Sequence, residues 1–228
     1  ANNVGLGTNA LEDNTSGHEN TAIGRYALKG NTTGQENTGL GNAAGENITT
    51  GDYNTAIGSS TLAAATTASN NTAVGALALT ANTTGAQNVA VGKDALQANT
   101  TGALNTAIGK DSMYANTTAD NGTAVGYNAL SANTTGASNT AVGFNALAAN
   151  TTGIRNLAVG YGTLDAATDE DDNIAIGHNA LSVLSSGGQR NTVVGSNAGD
   201  AVTSGDNNCF FGHDAGSATT SGDSNNAF

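Results

Sequence analysis

Bulky apolar residues recur along this chain every 17 residues, and each of them stands directly before a glycine. With that glycine as position 0, position −1 is always Leu, Ile, Val or Phe, and position −2 is Ala or Gly except at Val193 and Phe210. Position +4 is usually Leu, and positions +7 to +10 commonly read Asn-Thr-Thr-Gly. One interval has 18 residues, and we place its extra residue in Ser185–Arg190. The position-0 glycines are Gly7, Gly24, Gly41, Gly58, Gly75, Gly92, Gly109, Gly126, Gly143, Gly160, Gly177, Gly195 and Gly212.

This period predicts an all-β protein, a β-solenoid in which each repeat forms one coil. A unit of 17 residues is too short for a helical hairpin, and its Asn, Thr and Gly residues disfavour long helices. Thr, Val and Ile before the glycine favour a short strand, while the residues around position 0 and the Asn-Thr-Thr-Gly run favour turns. We therefore expect two short strands and two turns per coil, with coils about 4.8 Å apart. Residues 1–228 then form a single repeat domain of about 13 coils.

Positions −1 and −2 predict that a lone chain leaves one apolar face without a partner. Neighbouring strand residues face opposite sides of a sheet, so one of these two apolar rows must point outwards. A strand that is apolar on both sides is normally covered on both sides, which predicts homo-oligomerisation along the coil axis. Three units carry glycine at +4 (Gly45, Gly199 and Gly216), with Ile48, Val202 and Thr219 at +7. This exchange indicates that +4 and +7 both point into the coil.

Composition restricts the functions that this chain can have. It has 32 Gly residues, and only 4% of its residues are aromatic, which leaves few bulky side chains for a thick core. The net charge of −12, with six Lys and Arg, argues against binding to nucleic acid or to anionic lipid. The sequence has no apolar run long enough to span a membrane, so we expect no membrane insertion in this segment. It has no nucleophile elbow and no phosphate-binding loop, so we expect neither an enzyme nor a cofactor.

The repeated motif resembles a known family. The sequence Asn-Thr-Ala-Ile-Gly at 20–24, 54–58 and 105–109, with Val variants elsewhere, is similar to the repeat of trimeric autotransporter adhesin heads. Related Gly-Asn-Thr repeats occur in phage tail fibres. The resemblance covers the whole chain and implies a left-handed parallel β-roll that assembles as a homotrimer. The unit of 17 residues is longer than the usual adhesin-head unit, so the coil must be wider or contain one more turn.

Position +1 varies most along the chain, and we expect it to face solvent as a stripe with one residue per coil. Aromatic rings repeated at the coil spacing can pack against sugar rings or a protein receptor, although they can equally stack on each other or fill a subunit seam. Arg25 and His213 belong to the same row nearer the chain ends. The candidate ligand-binding residues are Lys93, Lys110, Tyr127, Phe144, Tyr161 and His178.

Other reactive residues carry weaker indications. Four carboxylates at Asp169–Asp172 replace the usual turn, which predicts a solvated acidic turn or, as an alternative, a calcium site. The three histidines (His18, His178 and His213) never share a coil, so we expect no metal site. The single cysteine, Cys209, excludes an intrachain disulfide, and we expect it to be a small buried thiol. The repeated Asn-Thr-Thr sequons are expected to form a ladder of turns.

These observations predict a non-enzymatic adhesive fibre segment that mediates attachment to a host cell through a surface glycan or protein receptor. Its expected location is extracellular, on a bacterial cell surface or a virion tail fibre. A purely structural spacer of a fibre shaft is the main alternative. An ice-binding solenoid is a further alternative, although the Thr pairs lie in predicted turns and are adjacent rather than alternating.

Overall fold

The structure is a computed structural model that describes residues 2–228. These residues form a parallel β-solenoid of about 13 turns with 17-residue coils, and they contain strands and turns but no helix. Two compact units make up the chain, unit 1 (Ala1–Thr118) and unit 2 (Ala119–Phe228).

Each coil contributes one short strand, and within each unit consecutive strands pair in parallel. Thr21 pairs with Thr38 and Thr38 with Thr55, so each strand residue lies beside the residue 17 positions later. Unit 1 contains β1 (Val4–Leu6), β2 (Thr21–Ile23), β3 (Thr38–Leu40), β4 (Thr55–Ile57), β5 (Thr72–Val74), β6 (Val89–Val91) and β7 (Thr106–Ile108). Unit 2 contains β8 (Thr123–Val125), β9 (Thr140–Val142), β10 (Leu157–Val159), β11 (Ile174–Ile176), β12 (Thr192–Val194), β13 (Cys209–Phe211) and β14 (Asn226–Ala227).

The prediction of two strands per coil is wrong, because the rest of each coil is built from turns. Three residues per coil, at +2, +4 and +12, have left-handed backbone angles, as in Tyr26 (φ 62°), Leu28 (φ 47°) and Glu36 (φ 55°). A strand cannot continue through a left-handed residue without a bend. Only positions −3 to −1 therefore remain extended long enough to form a ladder.

The strands place position −2 inside the coil and position −1 outside. Ala22, Ala56 and Ala141 at −2 are fully buried, whereas Leu40 and Ile108 at −1 are 43% and 41% exposed. The leucines at +4, such as Leu28, are also fully buried, and they supply most of the bulk inside the coil. The core is therefore a thin stack of Ala and Leu, and the bulkier row of each strand lies on the outer surface.

The exchange between +4 and +7 is confirmed where isoleucine or valine enters. Ile48 is fully buried, and its Cδ1 would lie 3.0 Å from a Cβ added at Gly45, so the two positions share one volume. Val202, in the Gly199 coil, is also fully buried. At Gly216 the explanation differs, because the ring of Phe210 occupies the space that a +4 side chain would fill.

Buried asparagines form a second layer of the core that the sequence patterns did not predict. At −4, the Nδ2 of Asn37 donates to the carbonyl oxygen of Gly51 (2.8 Å), and its Oδ1 accepts from the backbone N–H of Asn54 (2.9 Å). Similar bonds recur along this row in both units. At +7, asparagines such as Asn99 are also fully buried and bond to one another between coils. The Asn-Thr-Thr-Gly turns are thus held from inside by their own amides.

Candidate functional site

The backbone holds the +1 residues of unit 2 at the spacing of the coils. The N–H at +2 donates to the +1 carbonyl of the preceding coil, from Asn145 to Tyr127 (3.1 Å), from Gly162 to Phe144 (3.0 Å) and from Asn179 to Tyr161 (2.9 Å). The glycine before each +1 residue has φ near +140°, as in Gly143 (φ 138°), an angle that L-residues with a side chain rarely adopt. The +1 side chains therefore leave every coil in the same direction.

Four of these side chains form a continuous stack of rings, which we call the aromatic row. It consists of Tyr127, Phe144, Tyr161 and His178. Successive ring centroids are 5.2, 5.1 and 5.4 Å apart, with interplanar angles of 18°, 5° and 15°. The three carbocyclic rings are 44%, 42% and 54% exposed, and His178 is exposed as well. The predicted stripe therefore exists in unit 2 as a stack of half-exposed rings.

The other predicted members of the +1 row do not join a ring stack. In unit 1, the Nζ of Lys93 bonds to Asp94 (2.7 Å) and the Nζ of Lys110 bonds to Asp111 (2.6 Å). Arg25 donates to the hydroxyl of Tyr26 (2.7 Å) and lies over its ring. In unit 2, His213 pairs with the adjacent Asp214 (2.9 Å). In these coils the +1 side chain turns towards its +2 neighbour.

Half-exposed amides run beside the aromatic row at +2. The Nδ2 of Asn128 donates to the Oδ1 of Asn145 (3.1 Å), and Asn179 occupies the same position two coils further on. Gly162 fills the place between them, and a Cβ there would meet the Oδ1 of Asn179 at 2.7 Å. This part of the surface thus offers rings and neutral amides but no formal charge at +1 or +2.

A second exposed surface, which we call the outer strand face, is formed by positions −3 and −1. In unit 1, position −3 is mostly Thr, as in Thr38 and Thr55, and position −1 is Leu, Ile or Val. In unit 2, Leu157 and Ile174 replace Thr at −3, and Ile174 is 38% exposed. The exposed row of apolar residues that the alternation predicted is therefore the −1 row.

The acidic turn has a definite internal structure. Glu170 is fully buried at +10, where most units have glycine, so the expectation of a solvated turn is wrong for this residue. Its carboxylate accepts from the backbone N–H groups of Thr168 (2.6 Å), Asp169 (3.0 Å) and Gly187 (3.2 Å). Gly187 lies in the 18-residue coil, and the following Gly188 accepts the bond that a +10 glycine normally accepts. The extra residue therefore lies where the sequence placed it.

Two of the remaining acidic side chains of this turn have close partners, whereas Asp169 is exposed and accepts only a long bond from the Thr168 hydroxyl (3.4 Å). Asp171 accepts from the N–H of Ile154 (2.7 Å), and Asp172 forms two bonds with Arg155 (2.6 and 2.7 Å). The hydrogen bond from Arg155 holds the pKa of Asp172 below its usual value. Among residues 2–228, no group of three or more His, Cys, Asp or Glu side chains has an arrangement that could hold a metal ion.

Cys209 is more accessible than predicted, whereas the asparagines of the sequons are buried. Cys209 lies at −3 on the outer strand face and is half-buried, so the prediction of a buried thiol is wrong. Asn82 and Asn99, in the Asn-Thr-Thr sequons, are fully buried, and their Nδ2 atoms donate to Gly85 and Gly102. The folded chain therefore does not present these amides for glycosylation.

No known protein family, curated protein or solved structure matches this chain. Within the described residues, no helix is long and apolar enough to cross a membrane.

Proposed function

We propose that this chain is a non-enzymatic segment of an extracellular adhesive fibre on a bacterial cell or a virion. In this proposal, three copies associate through their outer strand faces as left-handed β-rolls, and the aromatic row contacts a host receptor. The observation that carries the proposal is the apolar row at −1, in which no residue is buried and whose exposed members include Leu40 (43%) in unit 1 and Phe211 (60%) in unit 2. Monomeric proteins seldom leave such a continuous patch open to water.

The outer strand face offers enough apolar surface to stabilise an assembly. Full burial of an exposed Val, Leu or Ile side chain gains about 1.5–3 kcal/mol. Ile108 and Val142 are 41% and 36% exposed, so covering one such rung gains roughly 1 kcal/mol. The less exposed −1 residues of unit 1, such as Val74 and Val91, add smaller amounts. The row of one unit therefore contributes a few kcal/mol per copy against the loss of translational and rotational freedom on association.

Mass in solution tests the assembly directly. Multi-angle light scattering should give three times the chain mass of 22.2 kDa for the unmodified protein. Replacement of Val142 and Ile176 by Lys places charges on the outer strand face and should lower the mass to that of one chain. Thr135→Lys combined with Thr152→Lys adds the same two charges to exposed turns and should leave the mass unchanged. If the unmodified chain is monomeric at every concentration measured, the proposed assembly is refuted.

Cys209 provides an independent measure of coverage. Its thiol lies on the outer strand face, and Cys209 is the only cysteine of the chain. Maleimide labelling should be slow in the assembled protein and fast in the Val142→Lys, Ile176→Lys variant. Equal labelling rates in the two forms would show that another surface makes the contact.

Adhesion is distinguished from a spacer role by binding to cells. The isolated chain should bind to host cells, and replacement of Tyr127, Phe144 and Tyr161 by Ala should remove that binding without changing the mass in solution. A spacer assembles in the same way but does not bind.

The Thr row of unit 1 supports ice binding as a second candidate function. The sequence placed Thr pairs in turns, but the strands also carry Thr at −3, alternating on the outer strand face with the apolar −1 residues. A flat surface of regularly spaced hydroxyl and methyl groups can order water. Thermal hysteresis of the protein in dilute solution tests this candidate, and its absence in a monomeric sample would exclude it.

A further inference from the structure

We propose that the aromatic row binds an extended, neutral, β-1,4-linked polysaccharide chain that runs along the coil axis with one sugar per coil. The proposed ligand class comprises glucans and N-acetylglucosamine polymers with this linkage. The inference rests on the adhesive function proposed above and specifies its receptor.

The fold itself does not require rings at +1. Ser59, Ala76 and Ser196 occupy the same position in other coils, and the same backbone bonds form there, such as that from the Leu77 N–H to the Ser59 carbonyl (3.0 Å). Stacked rings at +1 occur in four consecutive coils of unit 2, whereas the ring of His213, two coils further on, pairs with Asp214 instead. A local departure from an otherwise regular repeat therefore calls for a functional reason.

The spacing of the rings leaves part of each ring face bare. Carbon atoms in contact lie about 3.5–4 Å apart, so nearly parallel rings with centroids 5.1–5.4 Å apart must be displaced sideways by roughly 3–4 Å. The rings are thus offset and overlap only in part, in agreement with the exposed fractions of 42–54% for Tyr127, Phe144 and Tyr161. The C–H bonds of a sugar face carry partial positive charge and are attracted to the negative face of such rings.

The repeat distance selects the type of polysaccharide. An extended β-1,4-linked hexopyranose chain advances per sugar by nearly the distance that separates the ring centroids, so each sugar can meet an equivalent ring. An α-1,4-linked chain curves into a helix and loses this register after a few sugars. A row of rings with centroids 5.1–5.4 Å apart therefore matches the first type of chain and not the second.

The polar surroundings favour a neutral chain. Asn128, Asn145 and Asn179 offer amide donors and acceptors beside the rings, and the +1 and +2 positions of these coils contain no charged Asp, Glu, Lys or Arg. The carboxylate of Asp165 lies close to Gly162, where its Oδ2 would be 3.7 Å from an added Cβ, and its negative charge disfavours an acidic ligand. The net charge of −12 repels acidic polysaccharides. Neutral sugars with hydroxyl or acetamido groups fit both features.

Isothermal titration calorimetry with cellohexaose and with chitohexaose tests the proposal, and the two arms distinguish glucan from N-acetylglucosamine ligands. Maltohexaose serves as the α-linked comparison. We expect binding of at least one β-linked hexasaccharide and none of maltohexaose. Phe144→Ser introduces a residue that other coils accept at +1, and it should weaken binding roughly threefold to tenfold. Tyr114→Ser removes an exposed tyrosine outside the row and should have no effect.

The outcomes separate this inference from the proposed function. Failure of both β-linked ligands to bind, equal binding of maltohexaose, or an unchanged affinity of Phe144→Ser would overturn the inference. If the chain still assembles and binds host cells in that case, the adhesive function stands with another receptor. If the chain binds β-linked sugars as a monomer, the inference stands and the proposed assembly fails.

Discussion

Removal of one amide from the +7 row should have a cost that depends on its place in the row. Asn99 lies inside a run of buried asparagines. Its Nδ2 donates to the Oδ1 of Asn82 (2.8 Å) and to the carbonyl of Gly102 (2.9 Å), and its Oδ1 accepts from the Nδ2 of Asn116 (2.7 Å). Asn99→Ala therefore removes three hydrogen bonds and leaves the Asn82 acceptor and one Asn116 N–H without that partner.

Asn31 is the matched position in the same unit. Its Nδ2 donates to the Oδ1 of Asn14 (2.9 Å) and to the carbonyl of Gly34 (3.1 Å). The next coil has Ile48 at +7, and the Oδ1 of Asn31 is one of two buried side-chain polar atoms without a partner among residues 2–228. Asn31→Ala thus removes an unpaired acceptor and leaves only the Oδ1 of Asn14, which is half-buried, without its donor.

The two variants lose the same side-chain atoms, so the difference between them isolates the amide ladder. A buried polar group without a partner costs about 1–3 kcal/mol, and a hydrogen bond contributes about 0.5–1.5 kcal/mol. Asn99→Ala leaves one more buried group without a partner than Asn31→Ala does, and Asn31→Ala also removes an acceptor that was already unpaired. With about 1–3 kcal/mol for each of these two differences, Asn99→Ala should be less stable than Asn31→Ala by about 2–6 kcal/mol. Urea denaturation monitored by circular dichroism measures the free energy of unfolding, provided that both variants have the same m-value. Equal destabilisation by the two substitutions would refute the idea that the ladder acts as a connected network.

Three further predictions concern contacts between neighbouring coils. Gly143→Ala forces a Cβ against the Gly160 carbonyl at a φ of 138°, and it should lower the free energy of unfolding by at least about 2 kcal/mol in urea denaturation. Glu170→Gly combined with deletion of Gly187 restores the regular coil, so the double variant should be more stable than the sum of the single changes by about 0.5–3 kcal/mol, and additivity would contradict their coupling. Because Arg155 lowers the pKa of Asp172, their ion pair stabilises the fold above the usual carboxyl pKa, and this contribution is lost as the pH falls through the lowered pKa. In the Arg155→Gln variant, NMR titration of the carboxyl groups should show that the pKa of Asp172 returns towards its usual value.

Much of the fold follows from the repeat period alone. A strict 17-residue spacing requires that equivalent residues lie side by side, and the pairing of Thr38 with Thr55 follows from it. The burial of Ile48 opposite Gly45 was also predictable, because an exchange of bulk between two positions implies a shared space. Which face of the strand points into the coil was not predictable, because positions −1 and −2 are both apolar and hydrophobicity does not distinguish them.

The buried asparagines escaped prediction for a different reason. Asparagine in a sequence normally indicates a turn, because its side chain competes for nearby backbone groups. Here the side chain of Asn37 bonds to backbone groups inside the coil, where its amide satisfies the Gly51 carbonyl and the Asn54 N–H of the next coil. The left-handed backbone angle of leucines such as Leu28 was equally unpredictable, because residue preferences assign that angle to Gly or Asn.

The two proposals constrain each other, because the outer strand face and the aromatic row are separated by a single residue. Val142 at −1 and Phe144 at +1 flank Gly143, so a second copy that covers the valine must stop short of the ring. An adhesive fibre of this kind is possible only if the assembled form keeps Tyr127 and Tyr161 accessible. Nitration of these two tyrosines should therefore proceed at the same rate in the assembled protein and in a variant that carries Val142→Lys and Ile176→Lys. Protection on assembly would place the row in a subunit seam, and the rings would then serve packing instead of recognition.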